Sequence, residues 1–83
     1  MESDVLTLEV ISPEKMVLST KASRIELPGT LGRFVVLKDH APLISSLTKG
    51  EIVYTSEDKE NRIPVSSGFV KVEENRVLAC VEL

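Results

Sequence analysis

The chain has 83 residues, 42% hydrophobic and 28% charged, with a formal net charge of −3. That length allows one domain, residues 1–83, and its composition is globular rather than disordered. A single cysteine excludes an internal disulfide, and the mild negative charge argues against a nucleic-acid partner, which needs a basic stripe.

The amino terminus, Met-Glu-Ser-Asp, has neither the basic nor the apolar region of a signal peptide, so a cytosolic chain is expected. Leu6, Leu8 and Val10 then alternate with Thr7 and Glu9, the period-two pattern of a half-buried strand over Leu6–Ile11. Ser12-Pro13-Glu14-Lys15 is a turn signal, and a strand is expected over Met16–Thr20. Ile25 and Leu27 alternate with Arg24 and Glu26 in a third strand, Ser23–Leu27, which Pro28-Gly29 ends in a tight turn. Phe34–Leu37 follows as a strand.

From Asp39 to Gly50 two readings compete. Asp39 as cap, Pro42 in the first turn and Gly50 as terminator favour a short helix. The strand alternative puts Leu43, Ser45 and Leu47 on one face. Beyond it, strands are expected over Glu51–Thr55, Ile63–Ser66, Phe69–Glu73 and Arg76–Val81. A charged hairpin tip, Ser56–Asn61, joins the first two, and Glu74-Asn75 turns between the last two. The last strand is apolar on both faces, which suits an interior or contact-making strand. The pattern is all-β, a two-sheet antiparallel β-sandwich of about nine or ten short strands. No apolar run reaches the ~18 residues of a membrane span, so no direct membrane insertion is expected.

No catalytic constellation emerges. His40 is the only histidine, and Cys80 is its one soft companion, too few ligands for zinc. His40 reads as a structural turn residue, and Cys80 as a small buried or interface hydrophobe. Gly29-Thr30-Leu31-Gly32 lacks the Lys-Ser/Thr that a phosphate loop requires; Arg33 follows instead, and the pattern continues as strand. Ser66-Ser67-Gly68-Phe69 does not match a nucleophile elbow, and the acids of Glu57–Glu60 are wrongly spaced for calcium. No cofactor or metal is expected. A small enzyme would have to use His40 with Asp39 or Glu51.

Four strings, in order, resemble the N-terminal β-sandwich domain of the epsilon subunit of F-type ATP synthase. They are Leu8-Glu9-Val10-Ile11-Ser12-Pro13-Glu14 with Met16-Val17-Leu18-Ser19; Leu27-Pro28-Gly29-Thr30-Leu31-Gly32; Leu37-Lys38-Asp39-His40-Ala41-Pro42-Leu43-Ile44 with Leu47-Thr48-Lys49-Gly50; and Val65-Ser66-Ser67-Gly68-Phe69-Val70-Lys71-Val72 with Asn75-Arg76-Val77. The sequence departs from the family where Arg33 replaces a frequent acid, Val35-Val36 a Gly-Ile pair, Lys38-Asp39 a Pro-Gly, and Ser67 the first glycine of Gly-Gly-Phe.

The resemblance implies a strand at Leu43–Leu47 in place of the helix. It implies a non-catalytic central-stalk rotor subunit of a proton-translocating enzyme, on the cytoplasmic face of the bacterial inner membrane. Its partners would be the gamma subunit and the polar loops of the c-ring. It further implies that Thr30, Leu31, Gly32 and Arg33, together with Lys38, Asp39, His40, Ala41 and Pro42, sit close together at one c-ring-facing end. Gly29, Gly50, Gly68 and Phe69 would be structural, Phe69 supplying core volume. Ile44, Val53 and Leu78 are expected as outward apolar residues available to a partner. Family members usually continue into a C-terminal helical hairpin that inhibits and, in some, binds ATP. With the sequence ending at Leu83, neither inhibition nor nucleotide binding is expected of this chain. The alternative is a small β-sandwich interaction domain unrelated to ATP synthase.

Overall fold

A computed structural model describes residues 4–83. Nine strands run in chain order: β1 (Leu6–Ile11), β2 (Met16–Ala22), β3 (Arg24–Gly29), β4 (Gly32–Val36), β5 (Leu43–Leu47), β6 (Gly50–Ser56), β7 (Lys59–Val65), β8 (Ser67–Glu73) and β9 (Arg76–Glu82). They form one hydrogen-bonded path, β2-β1-β9-β8-β5-β3-β6-β7, with β4 attached to β3. The path folds over at a narrow junction, where β5 meets β3 through the Gly29–Leu47 pair. On one side lies the layer β2-β1-β9-β8-β5, and on the other β3-β6-β7 with β4.

The core lies between the layers, because alternation sends one face of each strand inward. Leu6, Leu8 and Val10 of β1, Ile25 and Leu27 of β3, Val70 and Val72 of β8, and Val77, Ala79 and Val81 of β9 are buried there together. Among the described residues all ladders are antiparallel except one: β1 and β9, the first and last strands, pair in parallel.

The Asp39–Gly50 segment forms a strand, not the helix that local propensity favours. Leu43–Leu47 pairs along its whole length with β8, and this tertiary ladder outweighs a capping preference. Pro28-Gly29 does not end the third strand: both residues pair with β4 inside β3, and the turn falls at Thr30-Leu31. The two expected hairpin turns do form. Glu57 and Asp58 both have positive φ (52° and 64°), as do Glu74 and Asn75 (50° and 62°), the geometry of two-residue hairpin turns. The charged tip is therefore shorter than Ser56–Asn61, with Lys59–Asn61 already in β7.

Candidate interaction surface

The two layers present opposite outer faces. Outside β4-β3-β6-β7 the charges are paired among themselves. Arg33 donates from Nε to Glu26 Oε2 at 2.8 Å and from Nη2 to the Glu51 carbonyl at 2.9 Å. Arg62 donates to Glu51 Oε1 at 3.1 Å and to Glu60 Oε1 at 3.0 Å, and Arg24 stands 3.7 Å from Glu26. The hydrogen bond from Arg33 lowers the Glu26 pKa, against the smaller effect of desolvation. The hydrogen bond to Glu51 raises that of Arg62. Val53 lies in register between Glu26 and Arg62 and is only 5% exposed, outside the central core. Val53 is thus not an outward apolar residue open to a partner, because the ladder's side chains cover it.

Outside β2-β1-β9-β8-β5 the face carries an uncovered apolar patch. Pairing aligns Met16, Ile11, Cys80, Phe69 and Ser46 in one cross-strand row. The next row holds Ser19, Glu9, Leu78, Lys71 and Ile44. A third holds Lys21, Thr7, Arg76 and Glu73, so the face grades from apolar to charged along the strands. Ile44 is 75% exposed and Phe69 55%, while Ile11, Leu78 and Cys80 are half-buried. Phe69 therefore does not fill the core. Its neighbour Val70 takes the inward side, and the ring stands outward.

A shallow cleft of about 250 Å³ opens beside this ring between Ile11, Pro13, Phe69 and Cys80. Gly68 is among its lining residues. Its φ is +149°, and a Cβ there would collide with the Cys80 carbonyl oxygen and stand 2.9 Å from the Val81 Cα. A second cleft, about 450 Å³, lies among Val17, Ile63, Val65 and Leu83, with Lys49 at its edge. Neither is lined by the converging acids and bases that catalysis requires. Among the described residues, no group of three or more His, Cys, Asp and Glu could hold a metal ion.

The two loop groups expected at one end lie at opposite ends of β5. Thr30 joins the Ser46 end: its amide donates to the Ser46 carbonyl at 3.2 Å and its hydroxyl meets Ser46 Oγ at 2.8 Å. The Lys38–Pro42 turn joins the far end, where β8 turns into β9. There the Asp39 amide donates to Asn75 Oδ1 at 2.7 Å, and Asn75 Nδ2 donates back to Asp39 Oδ1 at 3.3 Å. Between them β4 runs from Gly32 to Val36, which at ~3.3 Å per residue is roughly 13 Å.

At the first end, Gly29 and Gly32 pair across the hairpin tip and leave Leu31 wholly exposed. A Cβ on Gly29 would stand 2.7 Å from the Gly32 carbonyl oxygen, so this glycine is required. Gly50 packs as closely, a Cβ there meeting Pro28 Cβ at 2.9 Å. At the other end the His40 amide donates to the Leu37 carbonyl at 3.1 Å, and its ring Nδ1 lies 2.7 Å from the Ala41 carbonyl oxygen, where it donates. Ala41 and Pro42 are exposed beside it.

Sequence reasoning found Ile44 and Leu78 on the outer face but missed Ile11, Met16 and Phe69. One signal was present: Ile11 follows Val10 and breaks the alternation of β1, as an apolar residue on the outward side must.

Comparisons with known proteins agree with this architecture. A family model described as "ATP synthase, Delta/Epsilon chain, beta-sandwich domain" matches residues 5–82. An ATP synthase epsilon chain of Desulfitobacterium hafniense is 48% identical over 71 residues, covering 86% of this chain and 54% of the relative. One from Anaeromyxobacter sp. (strain K) is 35% identical over 77 residues, covering 93% and 58%. The chain thus spans about half the length of the curated relatives it matches. Among solved structures, a chain of the Euglena gracilis mitochondrial ATP synthase (OSCP/F1/c-ring) superposes with a TM-score of 0.88 at 20% identity, covering 94% of this chain and 51% of that one. A chain of the Tetrahymena thermophila mitochondrial ATP synthase central stalk/c-ring gives 0.78 at 16%, covering 100% and 67%. At those identities the two superpositions speak to fold.

Proposed function

The chain belongs to the ATP synthase Delta/Epsilon chain β-sandwich family, and on that premise we propose that it is a non-catalytic rotor subunit of the central stalk. It binds the gamma subunit through the outer face of β1, β9, β8 and β5, and touches the c-ring with the β3–β4 tip. Its task is to fasten stalk to ring so that ion-driven rotation reaches the catalytic head. It works at the cytoplasmic face of a bacterial inner membrane, as a peripheral part of the complex.

One observation carries this reading: the asymmetry of the two outer faces. Charges on the β3-β6-β7 side satisfy one another, whereas the opposite side exposes Ile44 and Phe69 around half-buried Leu78 and Cys80. An apolar centre with a polar rim is the anatomy of a protein interface. Of the two loop groups, the tip suits the ring, because β4 pairs with β3 alone and Leu31 stands clear at its apex. The Lys38–Pro42 turn, tied to Asn75, points away from that end and is left out of the ring contact.

The test is capture by purified gamma subunit, comparing Phe69→Ser with Arg24→Ala. Loss of at least ~10-fold in affinity for the first, about 1.4 kcal/mol, is expected, with little change for the second. Equal binding by Phe69→Ser and the native chain would overturn the assignment of this face.

A further inference from the structure

We propose that the free chain pairs with a second copy of itself, face to face across the outer surface of β9. The strand register determines what such a pairing matches. Leu78 has Glu9 on one side, on β1, and Lys71 on the other, on β8. Cys80 has Ile11 and Phe69 in the same two places. A two-fold axis lying in the interface along β9 exchanges the two sides. Glu9 of each copy then lies over Lys71 of the other, and Ile11 over Phe69. Leu78 and Cys80 meet their own counterparts at the axis.

The matches that flank Leu78 and Cys80 are complementary, two ion pairs and two apolar contacts; farther out, Ser19 lies over Ile44 and Met16 over Ser46, and in the third row Thr7 lies over Glu73. An axis running across the strands midway between the two rows lays Glu9 over Ile11 and Lys71 over Phe69, and one through the Leu78 row lays Glu9 over Glu9 and Lys71 over Lys71. Charge complementarity thus selects one orientation. Lys71 is free to turn to it, since its contact with Glu73 is long, at 3.7 Å, and exposed. Arg76 and Glu82 would meet their like at the two ends of β9. Twisted sheets diverge there, and Arg76 has Glu73 beside it in register.

Five strands at about 4.8 Å and three outward rows give a face of roughly 500 Å² per copy. The total of about 1,000 Å² falls below standard interfaces, so the pair is weak and reversible. The proposal goes beyond the rotor reading. Because both use one face, gamma and a second copy exclude each other.

Sedimentation velocity on the full chain, from about 10 µM to 1 mM, suits an interface of this size. A concentration-dependent dimer is expected. Glu9→Lys and Lys71→Glu should each weaken it several-fold, and the double variant should restore it. Two facing sheets stand about 10 Å apart, farther than the Cα separation a disulfide accepts. A short bismaleimide, rather than an oxidant, should therefore link Cys80 to Cys80, and Cys80→Ser should abolish the product. A monomer at every concentration overturns the proposal, and so does a dimer indifferent to the charge exchange. The crosslinked dimer is then offered to gamma subunit. Failure to bind is expected. Binding equal to the monomer's would remove gamma from this face while leaving the dimer intact.

Discussion

Asp39 and Asn75, 36 positions apart, hydrogen-bond to each other in both directions while each holds a positive φ. The pair locks the turn before β5 to the turn between β8 and β9. Asn75 has two duties, the left-handed backbone and the side-chain bonds, and Asn75→Gly separates them. Glycine keeps the turn geometry and loses the bonds. A loss of about 0.5–1.5 kcal/mol is expected in urea denaturation, with the fold unchanged. No loss would mean that these exposed bonds are replaced by water without cost.

Gly68 admits no side chain. Gly68→Ala should destabilise by more than ~2 kcal/mol, since both its φ and the Cys80 carbonyl oppose a Cβ. Phe69→Ser, one residue on, should change stability by less than about 1 kcal/mol, because the ring is exposed. Denaturation midpoints of the two variants check this contrast, and a large loss for Phe69→Ser would return that ring to the core.

Most of the strand pattern was legible because alternation of side chains is a local property. Leu6–Leu8–Val10 and Ile25–Leu27 announce buried faces by themselves. What escaped was non-local. The parallel union of β1 with β9 has no signature in either strand, and local propensity favours a helix at β5, whose strand at Leu43–Leu47 followed only from the resemblance and is formed against β8. For the candidate surface, Val53 and Phe69 exchanged roles for the same reason. Alternation tells which residues share a face, but not whether Arg62 and Glu26 fold over one face and leave the other bare.

The acid limb of stability should depend on Glu26. Its carboxyl is held below the ordinary glutamate value, chiefly by the Arg33 hydrogen bond, so the unfolded chain binds that proton more readily. This contribution is complete above the unfolded value, roughly pH 4.3, and fades as pH falls through the lower, folded value. Arg33→Gln should move the Glu26 titration upward and shrink this acid-side loss, as read by NMR of the carboxyl carbon and by denaturation across that range. A Glu26 titration unmoved by the substitution would count against the pairing.

His40 should behave as a turn residue. His40→Ala removes the bond from Nδ1 to the Ala41 carbonyl and should cost about 1 kcal/mol in stability. It should leave ring attachment unaffected, whereas Leu31→Ser at the opposite end should weaken it, by co-purification with the c-ring. Stoichiometric zinc in the native chain, lost in His40→Ala, would refute the structural role.

The parallel union of β1 and β9 has a mechanical meaning. Parallel neighbours place the start of β1 and the end of β9 at opposite ends of one ladder. A force pulling those two points apart loads the rungs from Thr7–Arg76 to Ile11–Cys80 together, in shear, rather than peeling them in turn. Such a ladder yields only when several bonds break at once. An element loaded at those two points would thereby keep its shape without needing a larger core.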